Sequence, residues 1–235
     1  MTSRSLIVAF PIFALLSFGL AAPAMAKCKD HPGPNVDWAD CVKTKLLLSG
    51  EDFQGARLAG TDLSFSDLSG SDLSSADLSG AMLTRVLLVE TKLNGATLEK
   101  AMFDRADLSQ ADLSGAKAQK VELHRANLTG ANLSGADLGK AEMGRAKLAD
   151  ADLTDANLQR AYLARANLRG AKLAGADFTD AEIYLADLRG TDLSAVKGLV
   201  SAQLEDTCGD ATTKLPAGVT APANWPCARS DEEEE

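Results

Sequence analysis

Between residues 46 and 195 the chain contains no proline, no cysteine and no tryptophan, although the full sequence of 235 residues has seven prolines, four cysteines and two tryptophans. Missing prolines are what a regular backbone ladder demands, because each proline removes a hydrogen-bond donor. Aromatic residues make up only 5% of the chain, too few to fill the core of a globular domain of this length. Histidine occurs twice, at His31 and His124, and no CxxC pair exists, so zinc is the weaker of two readings of the cysteines. No phosphate loop or dinucleotide fingerprint is present. These absences exclude the familiar cofactor-binding and metal-binding enzyme classes, and no cofactor or metal is expected.

What is present is a five-residue period, held in one register from Leu46 to Ala195 without an insertion. The unit reads small–polar–Leu–x–x, as in Ala76-Asp77-Leu78-Ser79-Gly80, Ala131-Asn132-Leu133-Ser134-Gly135 and Ala166-Asn167-Leu168-Arg169-Gly170. A period of five fits neither a helix nor a plain strand. It fits a short extended stretch followed by a corner. In an extended stretch the first and third residues point the same way, here inward, and the second points out. The fourth and fifth residues turn the corner, where glycine tolerates the dihedrals. Fixed self-similarity of this kind implies stacked units around one narrow core.

A second period sets the size of the coil. Arg85, Arg105, Arg125, Arg145 and Arg165 recur at intervals of twenty, as do Lys100, Lys120, Lys140 and Arg160, and Met82 and Met102. Four pentapeptides per turn give a roughly square cross-section. Stacked at the strand spacing of ~4.8 Å, the repeat makes a rod about 35 Å long. Within it, Ala118 in a leucine position beside Val121 in an alanine position reads as volume compensation.

The ends differ from the middle. Arg4, the apolar run Leu6 to Leu20 and Ala24-Met25-Ala26 form a signal peptide over residues 1–26, with cleavage expected after Ala26. An uncleaved anchor is the alternative. Residues 27–45 are expected to cap the rod at one end and residues 196–230 at the other, with 46–195 as the repeat and an acidic tail over 231–235. All four cysteines lie in the caps, and an exported chain places them in disulfides. A disulfide needs Cα atoms about 5.5 Å apart. A rod separates the two pairs, so Cys28–Cys41 and Cys208–Cys227 should pair locally. Trp38 and Trp225 are expected to cover the coil ends, and Ser201 to N-cap a short helix through Leu204.

The repeat resembles the pentapeptide-repeat family, and the resemblance covers residues 46–195. It implies an all-β, right-handed quadrilateral β-helix, a solenoid with short disulfide-stapled caps. The segments Pro32-Gly33-Pro34 to Trp38 and Cys208-Gly209-Asp210 to Pro216 resemble caps of exported bacterial members.

Candidate sites therefore lie on the exterior. Asp62, Asp67, Asp72 and Asp77 occupy outward, solvated positions rather than a catalytic pocket, and His124 reads as a surface residue. The arginine column Arg85, Arg105, Arg125, Arg145 and Arg165 has two readings. One is a structural ladder with Asp104, Glu122, Glu142 and Glu182 as counter-charges. The other is a basic stripe, joined by Lys100, Lys120, Lys140 and Arg160, that docks an anionic protein surface, glycan or lipid head group. Phe65, Met82, Leu87, Val89 and Met102 form a candidate apolar patch. The function expected is a non-enzymatic, periplasmic or secreted protein-interaction module, a monomer or homodimer with no membrane span in its mature form and no nucleic-acid partner. The alternative is a DNA-mimicking topoisomerase modulator, because family members that protect gyrase from quinolones are similar in motif and acidity. The export signal and the basic columns stand against it.

Overall fold

The computed structural model describes residues 24–227. The n-region and apolar run of the expected signal peptide, and the acidic tail, lie outside them.

The body is a single coil closed by parallel bridges between second-position residues. From Asp37↔Arg57 to Asp177↔Lys197 every bridge joins residues twenty apart, four pentapeptides along. Four columns of second-position residues result, and they define four sides. Side I carries Val42, Asp62, Met82, Met102, Glu122, Glu142, Tyr162 and Glu182. Side II runs from Leu47 to Asp187, side III from Asp52 to Asp192, and side IV from Asp37 to Lys197.

One unit shows why the backbone settles this way. In Ala111–Gly115, Ala111 N–H closes a turn on the Leu108 carbonyl at 3.1 Å. Asp112 N–H bonds the preceding coil at Thr91 O (2.9 Å), while Leu113 and Gly115 N–H bond the next coil at Asn132 O (2.7 Å) and Ser134 O (2.9 Å). That leaves the fourth N–H, of Ser114, which bonds Asp112 Oδ1 at 3.0 Å. The second-position Asp or Asn thus satisfies the one donor that the ladder leaves over, and it does so from Asp37 to Asp192 wherever an Asx side chain stands there. Asparagines also bond the aspartate one coil back, as Asn132 Nδ2 does to Asp112 Oδ1 at 3.0 Å. These residues are structural as well as solvent-facing.

Every fifth residue from Asn35 to Gly190 has φ between 55° and 75°. With the turn bond from first-position N–H to third-position carbonyl, this is the type II geometry that favours glycine at the corner. Arg85, Arg105, Arg125, Arg145 and Arg165 all adopt it, at a cost of about 1 kcal/mol each relative to right-handed backbone.

First- and third-position side chains fill the core. Leu58, Leu63, Leu68 and Leu73 are fully buried, and so are first-position residues such as Ala56, Ala76 and Ala96. Ala118 and Val121 both lie in this core. Where the first position is polar, its hydroxyl donates to a carbonyl, as Thr61 does to Trp38 O (2.6 Å) and Thr91 to Leu68 O (2.9 Å).

Both ends depart from expectation in detail. The ladder begins at Asp37, inside the segment read as a cap, because Val36-Asp37-Trp38 already obeys the unit with tryptophan in the leucine slot. Trp38 meets Phe53 edge-on at 5.4 Å, and Lys43 Nζ lies 3.8 Å from the Trp38 ring centroid. Burial there pushes the Lys43 pKa down. Cys28 and Cys41 are joined with Cα atoms 5.6 Å apart, and Cys208 and Cys227 at 5.5 Å, so both local pairings hold. At the far end the bridges Asp187↔Cys208 and Asp192↔Lys214 continue the ladder beyond Ala195 with longer spacings. The segment Ser201–Leu204 is a 3-10 helix, and Ser201 does not cap it. Gln203 does that work. Its Oε1 accepts from Val200 N–H at 2.8 Å, and its Nε2 donates to Phe178 O and Ala181 O, tying the segment to the last coil. Leu204 is fully buried. Trp225 packs against the core and donates Nε1–H to Thr207 O at 2.8 Å.

Two predictions follow from this bonding. Asp112→Ala strands the Ser114 N–H and the Asn132 amide, and should lower the unfolding free energy in urea by about 1 kcal/mol. Asp112→Asn should recover most of that; equal losses would show that the acceptor is unimportant. The second prediction concerns acid. Lys214 and Ser194 hold Asp192 at about 2, and the Thr212 hydroxyl, with the Thr212 and Gly190 N–H groups, holds Asp210 at about 2, both from an ordinary 3.8. A depressed carboxylate contributes stability that is present above its unfolded pKa and lost as pH falls through the folded one. The melting temperature should therefore fall as pH drops from about 4 to about 2, and fall less in an Asp192→Asn, Asp210→Asn double variant.

Candidate interaction surface

Sides II, III and IV are largely self-satisfied. Beside the Asx bonds, Lys92 pairs with Asp72 and Lys172 with Asp152, each at 3.4 Å, and Arg57 with Asp37 at 3.5 Å. These pairs join neighbouring coils and hold Asp72 and Asp152 below the usual carboxylate range, after the larger effects of their Ser74 and Thr154 hydrogen bonds.

Side I is built differently. From Met82 to Glu182 its second positions hold Met, Met, Glu, Glu, Tyr and Glu, none of which takes the fourth-position N–H. Its two edges are the predicted basic columns. Lys100, Lys120, Lys140 and Arg160 stand on the corner before it, and Arg85, Arg105, Arg125, Arg145 and Arg165 on the corner after it; all nine are exposed. The structure thus brings both columns to the borders of one side.

The expected counter-charges do not engage. Among the described residues none of the five column arginines lies within ion-pair distance of Asp104, Glu122, Glu142 or Glu182. Arg85 instead faces the Phe65 ring at 5.9 Å. In the lysine column Arg160 alone is paired among the described residues, to Asp180 at 3.4 Å.

The apolar patch is gathered only in part. Met82 and Met102 are bridged neighbours on side I, and Phe65, half exposed, sits on its corner one coil before Arg85. Leu87 and Val89 lie past that corner on side II, with Asp67 and Asp107 as the column neighbours of Leu87. The arginine corner divides the group. Sequence reasoning missed Leu47 (87% exposed) and Val42 (75%), and also Tyr162, Tyr184 and Leu185. Alignment at twenty residues was the signal available, since Val42 and Tyr162 share the Met82 column.

Side I also carries an open hollow of about 470 Å³. Gly144 and Ala164, consecutive in the fourth-position column, form its floor, and His124, Tyr162, Arg125, Arg145 and Arg165 surround it. The Tyr162 and His124 rings meet edge-on at 6.5 Å, and His124 Nε2 lies 3.9 Å from Glu142 Oε2. Among the described residues no group of three or more His, Cys, Asp or Glu is arranged to hold a metal, and no helix is long and apolar enough to cross a membrane.

A Cβ at Gly144 would approach Tyr162 Cε1 to 2.9 Å and His124 Nδ1 to 3.1 Å. Both contacts are to side chains at the surface, which can shift. Gly144→Ala should therefore leave the melting temperature nearly unchanged while moving the ring resonances of Tyr162 and His124; unmoved resonances would mean that the rings do not rest on this glycine.

Comparison with known proteins bears on the fold. No curated protein matches this chain in sequence. Among solved structures, the chain is similar to HetL, a pentapeptide repeat protein involved in heterocyst differentiation regulation in the cyanobacterium Nostoc sp. strain PCC 7120, at 24% identity over 80% of this chain and 86% of that one, with a TM-score of 0.41. Full-length QnrB1, a plasmid-mediated fluoroquinolone resistance protein, is 24% identical over 77% and 91%, with a TM-score of 0.43. A pentapeptide repeat protein from the Arabidopsis thaliana thylakoid lumen is 35% identical over 44% and 69%, with a TM-score of 0.35. The family described as pentapeptide repeats matches in eight copies, over residues 52–88, 83–117, 106–144, 126–162 and 156–195. Its repeat accounts for the coil, its corners and its core, and the chain belongs to the pentapeptide repeat family, whose members fold as right-handed quadrilateral β-helices.

Proposed function

We propose that this protein is an exported, non-enzymatic interaction module, acting in the periplasm or outside the cell, whose coil of four pentapeptides per turn presents side I to an anionic partner. The observation that carries this reading is the arginine column. Five guanidinium groups one coil apart repel by roughly 1 kcal/mol per neighbouring pair even in water, and salt relieves only part of that. Elsewhere Lys92, Lys172, Arg57 and Arg160 are offset by an aspartate one coil away. Along this corner no such carboxylate engages among the described residues, so the arrangement is one that a partner's negative charge would stabilise. The two disulfides suit an oxidising compartment, in keeping with a signal peptide cleaved after Ala26. The partner is an acidic protein surface or an anionic glycan or lipid head group of the envelope.

The DNA-mimic reading is weaker on the same surface. A duplex mimic needs an unbroken negative side. Lys92 and Lys172 interrupt side III, Arg57, Lys117 and Lys197 interrupt side IV, and basic columns border side I.

The test is crosslinking in the native envelope with the wild type and with Arg105→Glu, Arg125→Glu and Arg145→Glu combined. These residues are exposed, so the variant should keep its circular dichroism and melting temperature. It should lose the crosslinked species, whose recovery from wild type should fall as salt rises. Undiminished crosslinking of the variant would remove the stripe.

A further inference from the structure

The geometry points to the hollow at Gly144 and Ala164 as a binding subsite for a carboxylate-bearing sugar ring, a uronic-acid unit. This rests on the proposal that side I meets an anionic partner, and it names the chemistry of one part of that partner.

Two kinds of group line the hollow, and a third stands beside it on the same side. The first is cationic: Arg125, Arg145 and Arg165 line one edge with no ion pair among the described residues. A guanidinium takes a carboxylate in a two-point contact. The second is aromatic: Tyr162 is 38% exposed and its ring lies close to Gly144, with His124 edge-on beside it. An exposed flat ring offers a platform for the C–H face of a saccharide. The third is a set of acceptors. Glu142 lies within 4 Å of His124, and Glu122 and Glu182 flank Glu142 and Tyr162 in the same column.

The combination selects the ligand. Glu122, Glu142 and Glu182 repel any polyanion, and polyphosphate has no hydroxyl donors to offset that repulsion, so the arginines alone do not define the specificity. The same carboxylates accept hydrogen bonds from hydroxyl groups. An acidic peptide supplies carboxylates but neither a ring face for Tyr162 nor an array of hydroxyl donors. A uronic acid supplies all three. The floor agrees with this, because glycine and alanine at the two fourth positions keep it low beside the arginine corner and Tyr162. The column repeats at about 4.8 Å along the axis, so a chain of such sugars can run along it and meet successive arginines.

The experiment is calorimetric titration of the full mature chain at low salt. The probes are trigalacturonate, the neutral trimer in which each carboxylate is a hydroxymethyl group, pentaglutamate and tripolyphosphate. Trigalacturonate should bind, and the other three should bind at least about tenfold more weakly. Tyr162→Ala should reduce trigalacturonate affinity about tenfold, the scale of one lost aromatic contact. Arg145→Glu should abolish binding. Ring resonances of Tyr162 should shift on addition of the sugar. Equal affinity for tripolyphosphate or pentaglutamate, no binding of trigalacturonate, or indifference to Tyr162→Ala would each overturn the assignment. Envelope crosslinking separates this from the broader proposal. Tyr162→Ala leaves the arginine column whole, so crosslinking that survives while trigalacturonate fails to bind removes only the sugar, whereas crosslinking that survives the triple arginine reversal removes the stripe.

Discussion

The N–H of each third-position residue donates to the carbonyl of the second-position residue one coil on, at about 2.7–2.9 Å through most of the rod. That bond, repeated side after side, fixes residues twenty apart at strand spacing. Everything else inherits the register. Leucine stacks on leucine and alanine on alanine, which fills a narrow core with few aromatics. Corner falls on corner, so each fifth residue from Asn35 to Gly190 enters the left-handed region whatever its side chain. The exterior inherits it too. A residue type placed at one position and again twenty later becomes a column, which makes surface pattern a direct transcript of sequence.

Much of the architecture was therefore legible beforehand. Inward alanine and leucine follow from the alternation of an extended stretch, and the spacing of Arg85 to Arg165 gives the coil. The disulfide pairing follows from the length of the rod. What stayed hidden depends on contacts that composition does not encode. The second-position aspartates look like mere solvated charge until the backbone donors are counted and one per unit is left for them. Asp37 opens the ladder because Trp38 takes a leucine position, a substitution that pattern matching rejects and burial accepts. Ser201 has the right side chain for a cap, but the chain enters the 3-10 segment so that Gln203 reaches both Val200 and the last coil. Glu122 and Glu142 stand near the arginines in sequence, yet extended side chains at a corner do not close on them.

Side I differs from the other three in what it gives up. Each Asx residue elsewhere satisfies a backbone donor and often a neighbour's amide, a contribution of about 1 kcal/mol apiece. From Met82 to Glu182 the side forgoes that contribution at every coil, and its edges accumulate like charge. A repeat selected only for stability would carry aspartate or asparagine there too, as the neighbouring sides largely do. Local choices that oppose the fold without a compensating bond are the usual mark of a surface shaped by something outside it. The hollow over Gly144 and Ala164 is the sharpest case. Replacing either by serine or aspartate would fill the dent and still fit the motif, as Ser64 and Asp104 show in the same column. Small residues, an exposed tyrosine and three arginines that form no ion pair among the described residues meet at one place, on the side that lacks the Asx bonding scheme, and the proposal of side I as the working face rests on that coincidence.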